Sequence, residues 1–113
     1  MAQTLEAQLK QKIKKLVEGK GGWITWVVSM GFGSAQIDGY GCYRGQFFGV
    51  EAKIAPKKET KLQRMVLDQI DAAGGWTVVA YRPEDVAAVL MLIDKDLDER
   101  KGAFIPGFWR PEP

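Results

Sequence analysis

The chain has 113 residues, 46% hydrophobic and 27% charged, with a formal net charge of +2, which is typical of one soluble globular domain. It contains no histidine, which excludes Ser-His-Asp and Cys-His catalysis, histidine-dependent nucleases and histidine metal ligands. Cys42 is the only cysteine, so neither an internal disulfide nor a zinc site built from cysteines is expected.

The first predicted element is a helix over residues 4–18. Its apolar residues recur on one stripe, with most of its lysines off that stripe: Leu5, Leu9, Ile13, Leu16 and Val17. The N-terminus lacks the basic and apolar regions of a signal peptide, and no apolar run approaches the roughly 18 residues of a membrane-spanning helix. We therefore expect an intracellular, cytoplasmic protein that does not enter a membrane.

A strand and a loop are predicted next. Residues 23–29 are rich in aromatic and β-branched side chains, which favours a strand, and the glycines within residues 30–34 indicate a loop. Such a loop is either a plain turn or a segment that lets the backbone approach a phosphate.

Residues 35–40 and 46–53 are predicted to form the arms of a β-hairpin that turns at Arg44-Gly45. If the turn has an even number of residues, the numbers of paired residues sum to a constant, and Asp38 lies opposite Glu51. A turn with an odd number of residues would break this register.

Side-chain alternation then decides which residues share a face of the hairpin. It puts Asp38, Glu51 and Lys53 on one face, and it directs Ile37 and Val50 to the core on the other. The pattern therefore gathers two acids and one lysine, unless the strand is exposed and these side chains merely meet solvent.

Two carboxylates about 5 Å apart repel each other by roughly 3 kcal/mol at an effective dielectric constant near 20. Mg²⁺ and Mn²⁺ prefer oxygen ligands, so Asp38, Glu51 and the backbone carbonyl of Ala52 are predicted metal ligands. A cation held there would contact a phosphodiester oxygen and lower the pKa of a bound water. Lys53 would orient that water or stabilise the charge that develops at phosphorus.

The second half of the chain predicts a connector over residues 55–59, a helix over 60–73, a strand over 76–81 and a helix that starts at Pro83. The strand is nearly all apolar, so we expect it to be central and covered on both faces. The residues predicted to face inward from the two helices are Leu62, Val66, Ile70, Ala73, Val86, Val89, Leu90, Ile93 and Leu97. The order α-β-β-β-α-β-α indicates an α/β fold.

Residues 1–101 are predicted to form a single domain, and residues 102–113 a tail punctuated by Pro and Gly. The tail carries four large apolar residues, which need a surface to cover: Phe104, Ile105, Phe108 and Trp109. They either pack back on the domain or contact a second subunit.

Positive charge is concentrated in the first part of the chain. Residues 1–64 hold eleven Lys and Arg against five Asp and Glu, whereas residues 65–113 hold five against nine. The basic part contains the hairpin, which suits an anionic partner, although lysines on a helix are also often just a solvated face. The predicted nucleic-acid-binding residues are Lys57, Lys58, Lys61, Arg64 and, at the hairpin tip, Arg44.

These motifs together resemble the virus-type replication-repair nuclease (VRR-Nuc) domain of the PD-(D/E)XK nuclease superfamily. The resemblance rests on their order over most of the chain: Glu6, residues 33–38, residues 47–53 ending in Glu51-Ala52-Lys53, Thr60 to Gln63, residues 74–79, and residues 83–86. One departure is Ile37, which stands where the family commonly has proline.

The resemblance implies a restriction-endonuclease-like α-β-β-β-α-β core with a mixed sheet flanked by helices, plus a C-terminal helix and tail. It implies a magnesium- or manganese-dependent endonuclease that cuts branched DNA, such as Holliday junctions, as a homodimer. A role in DNA repair and a virus-encoded origin, such as a phage, are in keeping with it. The alternatives are a catalytically inactive nucleic-acid-binding module of the same fold and a metal enzyme acting on a small substrate.

Two further site residues come from the resemblance, and each has a structural explanation as well. Glu6 either joins the active site or only interacts favourably with the dipole of its helix. Gln63 either supports the active site or closes a capping box with Thr60, and it can do both.

Overall fold

Three helices and four strands follow one another in the predicted order in the computed structural model, which describes residues 3–28 and 36–100. Their bounds, in chain order, are α1 Leu5–Gly19, β1 Trp23–Trp26, β2 Gly39–Tyr43, β3 Gln46–Ala52, α2 Lys61–Ala72, β4 Trp76–Ala80 and α3 Pro83–Arg100. The predicted loop over residues 30–34, the start of the predicted hairpin arm at residue 35 and the tail over residues 102–113 lie outside the described residues.

The strands form one mixed sheet in the order β1-β2-β3-β4. The first three strands are antiparallel, and β3 and β4 are parallel neighbours joined through α2. The α/β class and the mixed sheet are therefore confirmed. The prediction of a central strand over residues 76–81 is wrong, because β4 is the last strand in this order and no further described strand pairs with it. Its apolar sequence has another cause, since both α2 and α3 contact it.

A two-residue turn joins β2 to β3. Tyr43 pairs with Gln46, and Arg44 and Gly45 between them have φ angles of 49° and 81°, as in a type I′ turn. The even-length turn on which the predicted register depends is therefore confirmed. The first arm differs from the prediction, because β2 runs on to Tyr43 instead of ending at residue 40.

The main core lies between the sheet and the helices α1 and α3. It is built from the predicted stripes of both helices and from one face of β3: Leu9, Ile13, Val17, Phe48, Val50, Ala52, Val86, Val89, Leu90 and Ile93. Leu5, predicted to face inward, is instead 64% exposed, because it is the first residue of α1 and lies ahead of the part that packs on the core.

Helix α2 covers the opposite face of the sheet over β3 and β4. Its predicted inward stripe is correct at Val66 and Ile70, which are half-buried, but wrong at its two ends. Leu67 is fully buried, whereas Leu62 is 50% exposed and Ala73 is exposed. The reason lies in the helix's contact with the sheet, where Gln63 rather than Leu62 is directed towards Glu51.

Ile37 is buried, but on the α2 side of the sheet, so the prediction that it faces the main core is wrong. A Cβ built on Gly49 would lie 2.6 Å from Cδ1 of Ile37 and 2.9 Å from Cδ1 of Ile70, which shows that both isoleucines cover that glycine. Side-chain alternation therefore breaks before β2 begins, at the bend at Asp38.

Across residues 3–28 and 36–100, no helix is both long enough and apolar enough to span a membrane.

Candidate active site

The hairpin brings Asp38 and Glu51 together one pair beyond the last ladder pair, Gly39 with Val50. The amide of Asp38 donates a hydrogen bond to Oε2 of Glu51 at 3.0 Å, and the amide of Ala52 donates to Oδ2 of Asp38 at 2.8 Å. Each acid is thus fixed by the opposite arm. The predicted proximity of the two acids is present in the structure.

Glu51 is only 1% exposed, although it is an acid. Its Oε1 accepts a hydrogen bond from Nε2 of Gln63 at 2.9 Å and lies 3.3 Å from Nζ of Lys53. Burial, followed by the negative charge of Asp38, raises the pKa of Glu51 to about 7, and the positive charge of Lys53 offsets only part of this increase. The site therefore carries a carboxyl group whose ionised form is disfavoured by its burial and by the neighbouring acid.

Gln63 performs both of the roles that the sequence left open. Its Oε1 accepts from the amide of Thr60 at 2.9 Å while Oγ1 of Thr60 accepts from the amide of Gln63 at 3.1 Å, which completes the capping box of α2. Its Nε2 is left to donate to Glu51. One side chain thus fixes the start of α2 and the orientation of the buried acid.

Lys10 of α1 is a residue of the site that the sequence analysis missed. Its Nζ lies 3.5 Å from Oδ1 of Asp38 and 3.8 Å from Oε1 of Glu6, one helical turn earlier. The same Nζ lies 5.7 Å from the centre of the Trp26 ring. Its position one turn after Glu6 was the available signal, but only the packing of α1 beside the hairpin reveals the contact with Asp38.

A cleft of about 460 Å³ lies next to the two acids, between the start of α1 and the chain that leaves β3. Asp38 and Glu51 do not line it, but Glu6, Ala52 and Lys53 do, together with Lys57. The cleft therefore joins the predicted site residues of the first helix to those at the end of the hairpin.

The predicted DNA-binding residues fall into two groups. Lys57, Lys58 and Lys61 are exposed, and none has a carboxylate within 4 Å among the described residues. The two arginines are both paired with acids. Arg64 lies 2.7 Å from Glu59 and 3.5 Å from Asp68.

Arg44 is remote from the two acids of the hairpin's other end and contacts α3 instead. Its guanidinium lies 2.8 Å from Asp94 and 3.4 Å from Asp98. The hydroxyl of Tyr43 also donates to Asp94 at 3.0 Å, and the hydrogen bond from Arg44 lowers the pKa of Asp94. These contacts pin the hairpin tip to α3, which the sequence analysis did not anticipate.

The part of the chain that the structure describes contains no group of three or more Asp, Glu, Cys or His side chains placed to hold a metal ion. A metal site here would use two carboxylates with main-chain and water oxygens. That donor set suits Mg²⁺, which commonly binds through one or two carboxylates and retains several waters. A cation bound there would favour the ionised form of Glu51, which burial and the charge of Asp38 disfavour.

A mixed sheet with α1 and α3 on one face and α2 on the other defines a restriction-endonuclease-like α/β fold, as predicted. A solved structure described as a "VRR_NUC domain" has this fold. It matches the chain with a TM-score of 0.61 and 20% sequence identity, over 85% of this chain and 97% of that one. The likeness to the VRR-Nuc fold is therefore confirmed. A scan against protein-family models and a search of curated proteins gave no match.

Proposed function

We propose that this chain is a metal-dependent endonuclease that hydrolyses phosphodiester bonds in DNA, with a preference for branched structures such as Holliday junctions. The observation that carries the proposal is the pairing of Asp38 with the buried acid Glu51, each held by main-chain amides of the hairpin. Lys53 and Gln63 contact the same acid. The fold shared with a VRR_NUC domain structure supports the same activity.

Mg²⁺ or Mn²⁺ is the proposed cofactor, held by the carboxylates of Asp38 and Glu51 and by the carbonyl of Ala52. When bound, such a cation neutralises charge on the phosphate and lowers the pKa of a water molecule. It would also relieve the repulsion between the two acids that contributes to the raised pKa of Glu51.

The other side chains of the site have separate proposed roles. Lys53, only 16% exposed and 3.3 Å from Glu51, orients the attacking water or stabilises the negative charge that develops at phosphorus. Gln63 keeps Glu51 in one orientation through its hydrogen bond. Glu6 contributes a third acid at the wall of the adjoining cleft.

DNA is proposed to approach along the connector that leaves β3 and the first turn of α2. Lys57, Lys58 and Lys61 present their charges there without acidic partners among the described residues. Arg64 and Arg44 would add phosphate contacts by exchanging their present carboxylate partners for phosphates. Such contacts act through charge, so binding is expected to depend strongly on salt.

We also propose that the enzyme acts as a homodimer in the cytoplasm, because symmetrical cutting of a junction needs two sites related by a two-fold axis. The sequence resemblance to the virus-type replication-repair nuclease domain extends the proposal to a virus-encoded enzyme acting in its host. One apolar row supplies a surface for pairing: Trp23, Cys42 and Phe47 are exposed and directly opposite one another across β1, β2 and β3. The aromatic tail, outside the described residues, is the other candidate.

The test compares four-way junctions, flaps, duplexes and single strands as substrates. Metal-free protein is assayed after Mg²⁺ or Mn²⁺ is added back, and the size of the protein in solution is measured in parallel. We expect cutting of branched substrates, its loss in Asp38→Asn, and little change in the control Asp71→Asn. Asp71 lies on α2, and among the described residues its carboxylate accepts only from the hydroxyl of Thr77 on β4. If no substrate is cut, or if Asp38→Asn cuts as well as the parent, the proposed activity is wrong.

The same samples separate the remaining candidates. Retained salt-sensitive DNA binding without any binding of Mg²⁺ or Mn²⁺ in calorimetry would favour the inactive nucleic-acid-binding module. Metal binding that added nucleic acid does not affect would favour a small substrate.

A further inference from the structure

Lys10 lies between an acid of its own helix and an acid of the hairpin. Its Nζ is 3.8 Å from Oε1 of Glu6 and 3.5 Å from Oδ1 of Asp38. The side chain is 25% exposed, so much of it is withdrawn from solvent. The nearby ring of Trp26, 5.7 Å from Nζ to the ring centre, further favours this position for the ammonium.

Of the four carboxylate oxygens of Asp38 and Glu51, Lys10 contacts Oδ1 of Asp38. Oδ2 of Asp38 accepts from the amide of Ala52. Both oxygens of Glu51 accept hydrogen bonds, Oε2 from the amide of Asp38 and Oε1 from Gln63. Oδ1 of Asp38 is the oxygen that Lys10 contacts, and no hydrogen bond to it is present among the described residues. A cation that binds both acids could therefore coordinate this oxygen without breaking a hydrogen bond to it.

We propose that Lys10 is a resident counter-ion that a divalent cation must displace from Asp38. The ammonium holds the acid in place while the site is empty and competes with the metal for Oδ1. When the cation binds, Lys10 moves away from Asp38 towards Glu6, which is already within reach at 3.8 Å. Lys10 is therefore a positioning residue that lowers metal affinity. This inference rests on the proposed metal site at Asp38 and Glu51.

A matched control lies one turn further along α1. Nζ of Lys14 is 3.8 Å from Oε1 of Glu18, the same spacing and the same distance as Lys10 with Glu6. Replacing Lys14 removes one positive charge and one i,i+4 ion pair from the helix but leaves Asp38 untouched. At physiological ionic strength, charges further apart than about 8 Å are largely screened, so Lys14→Met controls for the change in net charge.

The experiment is calorimetric titration of MnCl₂ into the metal-free full-length protein and its variants. We expect Lys10→Met to bind Mn²⁺ about two- to tenfold more tightly than the parent, because a partly exposed ion pair of this kind contributes modestly to binding competition. Lys14→Met should bind as the parent does. The metal-free melting temperature of Lys10→Met should fall, and Mn²⁺ should raise it by more than it raises that of the parent.

Unchanged or weaker Mn²⁺ binding by Lys10→Met would overturn the inference, and Lys10→Gln provides the same test if the methionine variant folds poorly. Asp38→Asn separates this failure from that of the proposed function. If Asp38→Asn loses Mn²⁺ binding while Lys10→Met equals the parent, only the role of Lys10 is wrong. If Asp38→Asn binds Mn²⁺ as the parent does, the metal site and the role of Lys10 both fail.

Discussion

The amide of Asp38 donates to Oε2 of Glu51 at 3.0 Å, so the first arm of the hairpin directly satisfies the acid buried on the second. A second bond crosses the first, from the amide of Ala52 to the carboxylate of Asp38 at 2.8 Å. The two bonds prolong the hairpin by one pair in which side chains replace part of the main-chain ladder. Both acids are thereby held in place by the fold itself, so neither carboxylate has to move before a cation binds.

The raised pKa of Glu51 makes stability depend on pH. The ordinary pKa of this group is 4.5, and burial raises it to about 7 in the folded chain. Between these values the folded protein binds more protons than the unfolded protein, so the free energy of unfolding should fall as the pH rises from about 4.5 to about 7. The loss is at most about 3 kcal/mol, from the free energy equivalent of such a shift.

Urea unfolding of the metal-free protein at pH 5, 6, 7 and 8 measures this decline, which Glu51→Gln should flatten. In the parent, Mn²⁺ affinity should rise over the same range, because the cation binds the ionised carboxylate. A decline of equal steepness in the parent and in Glu51→Gln would show that another group is responsible.

The two roles of Gln63 can be separated by comparison with its capping partner. Thr60→Ala removes the cap of α2 and should lower the free energy of unfolding by about 1 kcal/mol while Mn²⁺ affinity stays the same. Gln63→Ala removes both the capping box and the hydrogen bond to Glu51, so it should reduce stability and also weaken Mn²⁺ binding several-fold. Denaturant unfolding and calorimetry measure both effects. Equal Mn²⁺ affinities in the two variants would limit Gln63 to a structural role.

The hairpin was the part of the site that the sequence predicted best. Register arithmetic depends only on the length of the turn, and the right-handed twist of paired strands favours a two-residue type I′ turn. An even-length turn was enough to predict that Asp38 lies opposite Glu51, although Arg44-Gly45 is a less usual pair for a type I′ turn. The position of Ile37 was missed because alternation holds only for extended chain, and the chain bends at Asp38.

The errors elsewhere share one physical cause, which is that they depend on how separate elements pack together. An apolar strand such as β4 has the same sequence pattern at the centre of a sheet as at an edge covered by helices on both faces. The contact of Lys10 with Asp38 and the ion pair of Arg44 with Asp94 join residues far apart in the chain. Hydrophobic periodicity carries no information about such polar contacts.

Salt dependence tests the proposed DNA surface. Lys58 and Lys61 are exposed and have no carboxylate within 4 Å among residues 3–28 and 36–100, so their charges are available to phosphates. Each of Lys58→Gln and Lys61→Gln should weaken binding to all DNA sequences alike and reduce the slope of log K against log salt by about one.

The control for both substitutions is Lys95→Gln, on the exposed side of α3. Fluorescence anisotropy between about 50 and 200 mM salt measures the slopes. Over this range the DNA affinity of a protein that contacts several phosphates typically falls about 10³-fold or more. Slopes equal to that of the parent would exclude this surface.

The hairpin that carries the site depends on the absence of a side chain at residue 41. A Cβ at Gly41 would lie 2.2 Å from the ring of Phe48, its partner across β2 and β3. Because Phe48 is fully buried, the ring has no free space to move into. Gly41→Ala should therefore lower the free energy of unfolding by about 1–3 kcal/mol through overpacking.

The matched control for this substitution is Gly19→Ala at the end of α1, where an added Cβ meets no atom within 4 Å. Alanine is the better helix former, so this variant should be unchanged or more stable by up to about 1 kcal/mol. Urea unfolding of both variants measures the difference. Because the strain at Gly41 falls on the strands that hold Asp38 and Glu51, Gly41→Ala should also weaken Mn²⁺ binding, whereas Gly19→Ala should not. Equal stability of the two variants would contradict the close packing of Phe48 against β2.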